Sequence, residues 1–388
     1  MKKYILILIV ILLSSCSIGI PFEETPEGDG TVCKNNSKDT QNTESSQSII
    51  PDNDAVYNLL SSMTIEDKVG QLFLARNPKT EEEGTALIEK YKVGGIIFFG
   101  RDFKGSDPQS FSALIKSYNS ISKIPLLTAV DEEGGTVCRA SLYTAFRDKR
   151  FASPAELYEA GGLEAILSDA AEKSDFLISL GLNFNLAPVA DISTNEKDFI
   201  YKRSLGKGRD ETADYVSETV KVMKNHGIIS SLKHFPGYGS NSDTHTGIAY
   251  DKRSLSDIRK NDLVPFDAGI AAGAPVVMIS HSIVECIDSK MPASLSPKVL
   301  SLLRDELCFE GVAMTDDLAM DAIGEFTKSG EAAVLAIIAG NDLLCCSNIA
   351  SQYPAVIEAV KSGRISEERI DESVLRIIKM KLEYKIVG

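Results

Sequence analysis

Two of the chain's four histidines fall in one short stretch, "KHFPGYGSNSDTHTG" at 233–247, beside a lysine, an aspartate and several glycines and serines. An unperturbed pKa of about 6.5 suits histidine to give and take a proton near neutrality. A carboxylate two residues away, as Asp243 is from His245, can orient the ring and stabilise its charged form. The intervening glycines and serines would let such a group swing toward a ligand. The same composition also fits an exposed loop, and the residues alone leave both readings open. A phosphate cradle would need GxxxxGK followed by Ser or Thr, or GxGxxG opening a helix, and neither is present. His234, Asp243 and His245 have the atoms of a metal site. They lack the HExxH spacing, and Lys233 adds opposing charge, so no metal or other cofactor is expected.

Two further stretches carry acids beside apolar runs. In "GVAMTDDLAM" at 311–320 an aspartate just past a strand can cap the next helix. Two in succession allow one to cap while the other faces a ligand, and Asp316, immediately at the strand end, is the better candidate for the second role. In "AVDEEGGTVCRA" at 129–140, Asp131, Glu132 and Glu133 precede a Gly134-Gly135 turn and Arg139. These charges can simply be solvated. An Asp and an Arg on one face can equally grip sugar hydroxyls through charge-assisted hydrogen bonds.

The elements that must position these residues are legible as apolar runs at 69–74, 95–99, 126–130, 184–187, 229–232, 276–280, 312–315 and 343–346. Runs this hydrophobic suggest strands buried on both faces of a parallel sheet. Helical patterns lie between them. "SLSDIRKNDLVPFDAGIAAG" opens at a Ser or Asp cap and closes at glycine, "SGEAAVLAIIAGN" does much the same, and the C-terminal segment has an apolar stripe at Ile370, Val374, Ile377 and Ile378. Eight such repeats predict an α/β fold, a (β/α)8 TIM barrel, with an open doubly wound sheet as the alternative. Placement of the polar residues favours the barrel. Asp131 follows the third run, Lys233 and His234 the fifth, His281 the sixth, and Asp316 with Asp317 the seventh, so all would meet at the C-terminal face where barrel sites are built.

Outside that domain, "MKKYILILIVILLSSC" has two lysines, an apolar run of about ten residues, small residues and a cysteine. A membrane-spanning helix needs roughly 20 apolar residues. The pattern predicts an export leader over 1–15. Leu13 to Cys16 resembles a bacterial lipobox, which implies lipidation of Cys16 and a protein anchored by that lipid to the cell envelope. Residues 16–52 are rich in Ser, Thr, Asn, Glu, Gly and Pro and predict a flexible tether, leaving 53–388 as a single barrel domain. Without the two leader lysines the net charge moves from −14 to −16, which argues against nucleic acid or an anionic membrane surface as a partner. The cysteines have no CxxC spacing, so neither zinc nor a disulfide framework is expected, and most fall in apolar segments as core thiols.

Taken together, these motifs are similar to those of glycoside hydrolase family 3, in its β-N-acetylhexosaminidase branch. "KHFPGYGSNSDTH" resembles the family's KHFPGHG…D(S/T)H signature. The likeness continues through "MTIEDKVGQLF", "GGIIFFGR", "VDEEGGTVCR", "NFNLAPVADI", "RSLG", "MPASLS" and "MTDDLAM", in family order. It implies a (β/α)8 barrel and a retaining mechanism. Asp316 would be the nucleophile that forms a covalent glycosyl-enzyme. His245, partnered by Asp243, would protonate the departing oxygen and then activate water, doing the work of the second carboxylate found in most retaining glycosidases. Matching positions imply that Asp131, Arg139, Arg203, Lys233 and His234 hold the terminal sugar of a β-linked N-acetylglucosamine oligosaccharide, and His281 stands between a substrate contact and a structural hydrogen bond. Three positions depart from the pattern: Tyr238 for histidine, Leu205 for the aromatic of RSFG, and Thr136 for the arginine of EGGRV. The implied protein is a monomeric exo-β-N-acetylglucosaminidase acting on peptidoglycan or chitin fragments. A phosphorylase using the same residues is the near alternative, and a non-catalytic sugar-binding lipoprotein the distant one.

Overall fold

The computed structural model describes residues 53–239, 247–328 and 330–387. The leader, Cys16, the tether, Asp243 and His245 lie outside the described residues. Ten strands are described: β1 (Phe73–Arg76), β2 (Gly95–Phe98), β3 (Leu127–Val130), β4 (Phe184–Asn185), β5 (Ile229–Phe235), β6 (Tyr250–Asp251), β7 (Val276–Ile279), β8 (Ile283–Val284), β9 (Val312–Thr315) and β10 (Leu343–Cys346). Eight of them close a barrel in the order β1-β10-β9-β7-β5-β4-β3-β2, every pair parallel, while β6 and β8 form a small separate pair. With helices between successive barrel strands, this is the (β/α)8 architecture, and the open sheet is excluded by closure of β1 on β10.

Burial follows from alternation along each strand. Leu74, Ile97, Leu127, Phe184, Val276 and Met314 belong to the cluster that fills the barrel. Neighbouring residues such as Phe73, Ile96, Val277 and Ala313 face outward against the helices. Both faces being apolar, the strands read as continuous hydrophobic runs. The C-terminal helix Glu367–Glu383 buries Ile370, Val374, Ile377 and Ile378, the stripe its sequence predicts. The segment expected as one helix after Ser254 is two, Leu255–Lys260 and Leu263–Ala271, with a break at Asn261 and Asp262.

The first strand also differs from its expected range. Residues 69–71 belong to the helix Ile65–Gln71, whose start is fixed by reciprocal hydrogen bonds between Thr64 and Asp67, so the strand begins only at Phe73. Among the described cysteines, Cys138, Cys345 and Cys346 are free and buried. Cys286 is free but exposed, and Cys308, at an exposed turn, is disulfide-bonded, a departure from the expected core thiols. Among the described residues, no helix is long and apolar enough to cross a membrane.

Candidate active site

The C-terminal strand ends surround a cleft of about 590 Å³ whose lining includes Asp131, Arg139, Arg203, Lys233, His234 and Asp316, a size ordinary for a small-ligand site. These residues span 186 positions of sequence, from 131 to 316, and parallel closure alone brings them to one face.

Asp131 continues β3, and the chain then turns sharply through Gly134 and Gly135, which have φ of +104° and +61°. A side chain at either would strike the backbone of Ala152 or the side chain of Ser153, so the pair is glycine for steric as well as conformational reasons. The turn is closed by Glu133 N donating to Val137 O at 2.9 Å, and it brings Arg139 back toward Asp131, with Nη2 to Oδ2 at 3.7 Å. Glu132 is buried beneath it, accepting from the backbone N–H of Arg139 and Ala140 at 2.9 and 2.8 Å and from the Ser141 hydroxyl.

Lys233 and His234 lie within the end of β5 rather than after it, because that strand runs on to Phe235. Pairing with β7 shifts register between Lys233 and Phe235, and the Lys233–His234 peptide is cis. At such an irregularity two consecutive side chains can both face the cleft, as these do. Lys233 Nζ donates to Asp131 Oδ1 at 2.8 Å and to Glu133 Oε1 at 2.6 Å. Arg203 grips the same Glu133 bidentately, Nε to Oε2 at 2.9 Å and Nη2 to Oε1 at 2.7 Å. Burial opposes ionisation of Glu133, but the Arg203 and Lys233 charges outweigh it and hold the carboxyl well below the usual range. Burial likewise opposes the charged forms of Arg203 and Lys233. Glu133 raises the former, and Asp131 with Glu133 the latter, so both stay cationic.

Arg203 Nη2 also lies 3.3 Å from His234 Nε2, and Asp191 Oδ2 lies 2.7 Å from His234 Nδ1. A guanidinium can only donate, so Nε2 accepts and Nδ1 carries the proton shared with Asp191. The other oxygen of Asp191 accepts the backbone N–H of Tyr238 at 2.7 Å. Tyr238 packs with Val189 and Ile200, and its ring meets His234 edge-on at 5.6 Å. The tyrosine thus backs the histidine that the cleft presents. Leu205 is buried in the outer core, and Thr136 is exposed at the cleft rim.

Asp316 follows β9 directly, with Asp317 N donating to its Oδ1 at 2.8 Å. The Asp317 carboxylate accepts from the backbone N–H of Ala319 and Ser347 at 3.0 and 3.1 Å and from the Ser347 hydroxyl. Both aspartates line the cleft, and the Asp317 carboxylate is the one that ties loops together through Ala319 and Ser347. His281 is fully buried outside the cleft lining, with Nδ1 at 2.8 Å from Ser294 Oγ and Nε2 at 3.0 Å from the Asp317 carbonyl. These two hydrogen bonds tie it to the turn that carries Asp316. Among the described residues no cluster of three or more His, Cys, Asp or Glu is placed to hold a metal.

Sequence reading passes over three residues that the geometry makes central: Glu133, which locks Arg203 to Lys233; Asp191, which sets the His234 tautomer; and Arg76, at the end of β1 in the cleft lining. Glu133 and Asp191 sit inside the quoted motifs "VDEEGGTVCR" and "NFNLAPVADI", where a strand-end acid is the available signal. Nothing in the sequence around Arg76 separates it from a solvated charge.

Residues 64–380 match the Glycosyl hydrolase family 3 N terminal domain. Beta-hexosaminidase A of Pseudoalteromonas piscicida is 29% identical over 77% of this chain, which spans 55% of that relative's length. A beta-hexosaminidase of Psychromonas ingrahamii is 34% identical over 72% of this chain and 83% of its own. Among solved structures, a glycoside hydrolase family 3 beta-N-acetylglucosaminidase from Paenibacillus sp. str. FPU-7 superposes with a TM-score of 0.78 at 33% identity, over 84% of this chain and 64% of that one. With the barrel, the strand-end cleft and the matched domain in agreement, the chain belongs to glycosyl hydrolase family 3.

Proposed function

We propose that this protein is a retaining exo-β-N-acetylhexosaminidase that releases terminal β-linked N-acetylglucosamine from peptidoglycan or chitin fragments. The observation that carries the reading is the joint presence, in one cleft, of Asp316 and a preassembled polar set of Asp131, Arg139, Arg203, Lys233 and His234. The relatives named above, which are beta-hexosaminidases and a beta-N-acetylglucosaminidase, support the choice of sugar.

The polar set binds the hydroxyls of the terminal sugar through donors that Glu133 and Asp191 hold in place. A carboxylate of Asp316 attacks the anomeric carbon as the bond to the departing oxygen breaks, and His245 gives that oxygen its proton. Water, deprotonated by the same imidazole, then attacks the glycosyl ester and frees Asp316. Asp243 orients the His245 ring and stabilises its charged form. Neither Asp243 nor His245 is among the described residues, so their part rests on the sequence motif. Lipidation at Cys16, the tether at 16–52, a monomeric barrel and residence at the cell envelope complete the proposal from the leader sequence.

The test is digestion of chitooligosaccharides and muropeptides with the purified chain and with Asp316→Ala, products being identified by mass. Release of free N-acetylglucosamine, reduced at least about 10³-fold by the substitution, is expected. Turnover undiminished in Asp316→Ala would remove the nucleophile assignment. His245→Ala should slow poor leaving groups far more than good ones, since good ones need little protonation. Equal losses would contradict its acid role.

A further inference from the structure

Arg253 is not among the residues that line the cleft, yet its guanidinium joins three separate pieces of chain beside it. On one side it donates to Asp251 of β6, from Nε to Oδ1 at 3.0 Å and from Nη2 to Oδ2 at 2.7 Å. On the other, Nη1 donates to Oδ1 and Oδ2 of Asp262 at 2.8 and 2.7 Å. Nη2 also reaches the Gly237 carbonyl at 3.3 Å, just past the end of β5. Both carboxylates are buried. Burial works against the charge on the guanidinium, but Asp251 and Asp262 outweigh it and keep the group cationic. Asp262 stands at the N-terminus of the helix Leu263–Ala271, where an aspartate ordinarily accepts from the first free N–H groups. Its side chain makes no such capping bond and is turned to Arg253 instead.

Gly237 and Gly239 pack directly onto this pair, with φ of +119° and +57°. A Cβ on Gly237 would lie 2.5 Å from Asp262 Oδ1, and one on Gly239 2.5 Å from Arg253 Cζ. The backbone can approach this closely only because both positions are glycine. Tyr238, between them, donates its N–H to the Asp191 carboxylate that holds His234. The returning chain is fixed as well: Ala249 O accepts the N–H of Ile283 at 2.8 Å, Asp251 O accepts that of Glu285 at 2.9 Å, and β6 pairs with β8. Arg253 therefore touches both the chain that leads into residues 240–246 and the chain that leads out of them, and Asp243 and His245 belong to that segment.

We propose that Arg253 is a positioning residue for proton transfer: by clamping Gly237 to Asp251 and Asp262 it fixes both ends of the segment that carries His245. The proposal rests on the glycosidase reading above, in which His245 is the acid and base. A proton donor must lie within hydrogen-bond reach of the departing oxygen. Misplacement by about 1 Å from a change remote from the chemistry can lower a rate by about 100-fold. Lysine is a poor substitute here, since one ammonium cannot offer the planar fork of N–H groups that two carboxylates share.

The experiment measures kcat/KM on chitobiose, whose departing sugar needs a proton, and on the dinitrophenyl β-N-acetylglucosaminide, whose leaving group needs little. Wild type, Arg253→Met, Arg253→Lys, His245→Ala and the double variant of Arg253→Met with His245→Ala are compared. Arg253→Met should lower the chitobiose value by about 100-fold and the dinitrophenyl value by less than about tenfold, with Arg253→Lys between it and wild type. Added to His245→Ala, Arg253→Met should lower the chitobiose value by no more than about threefold, because the group it positions is already gone. Equal losses on the two substrates, or the full loss repeated on top of His245→Ala, would overturn the positioning role and leave His245 as the acid. Equal losses in His245→Ala itself, or a wild type that cleaves neither substrate, would remove the acid reading and this role with it. If Arg253→Met does not fold, Asp262→Asn, which leaves the guanidinium on Asp251, carries the test. A loss of about tenfold confined to chitobiose then supports the clamp, and a loss without that selectivity, or none, overturns it.

Discussion

At the N-terminal end of the barrel the Lys381 amine is enclosed by Gln71 Oε1, Gly94 O and Pro125 O at 2.9, 2.9 and 2.8 Å, one acceptor for each of its three donors. Asp342, which precedes β10 and is also fully buried, is met by Arg304, Arg376 and Arg369 at 2.6, 3.2 and 3.4 Å and by the backbone N–H of Ala313 at 3.0 Å. At the C-terminal end the buried Nε atoms of Arg76 and Arg139 lack such partners among the described residues. Both ends bury charge; Lys381 and Asp342 at the floor are paired internally, while at the mouth the two arginine Nε atoms have no partner among the described residues. What the floor satisfies for folding, the mouth leaves for a ligand, which is the division of labour that barrels assign to their two faces.

The comparison breaks first at Glu133, a mouth residue built like the floor, met by two cations. Glu133→Gln should lose stability by about 3–5 kcal/mol, because it leaves buried Arg203 without its carboxylate and Lys233 with Asp131 alone. It should also lower kcat/KM by about 100-fold as Arg203 and Lys233 slacken. Urea unfolding and steady-state kinetics read the two effects, and loss of stability without loss of activity would make Glu133 a floor-type residue after all. Asp342→Asn should show a similar destabilisation, about 3–5 kcal/mol. In the folded fraction kcat/KM should be unchanged, and a comparable fall in it would show that floor and mouth are not independent.

The smallest effect concerns pH. Burial lowers the Lys381 pKa to about 7 from an ordinary 10.5. Between those values the unfolded chain binds the proton that the folded chain has released. The amine therefore makes stability rise with pH across that window, its penalty being full below about 7 and fading toward 10.5. Unfolding free energy measured across this range should rise less steeply in Lys381→Met than in wild type. Parallel curves would show that the three acceptors keep the amine charged at every pH in the window.

The barrel was legible because its strands are apolar on both faces, and apolar runs need no partner to be recognised. The β1 boundary was not, since Val69 reads the same in a buried helix as in a strand, and only the Thr64 and Asp67 cap distinguishes them. Site residues with a chemical signature, such as Asp316 and the Lys233-His234 pair, could be named from position after a run. Glu133, Asp191 and Arg76 could not be ranked that way. Their importance lies in which charges they meet or fail to meet, and those partners are as many as 100 positions distant for Glu133 and 43 for Asp191. Tyr238, a departure in sequence, becomes intelligible only as the ring that backs His234.

The central claim is that Asp316, among all the acids of this mouth, becomes covalently joined to the sugar. Incubation with a fluorinated N-acetylglucosamine derivative bearing a good leaving group, followed by proteolysis and peptide mass analysis, tests it directly. A single glycosyl adduct is predicted on the peptide containing Asp316, absent from Asp316→Ala. An adduct on Asp131, Asp317 or any other residue, or steady turnover with no adduct at all, would contradict the account.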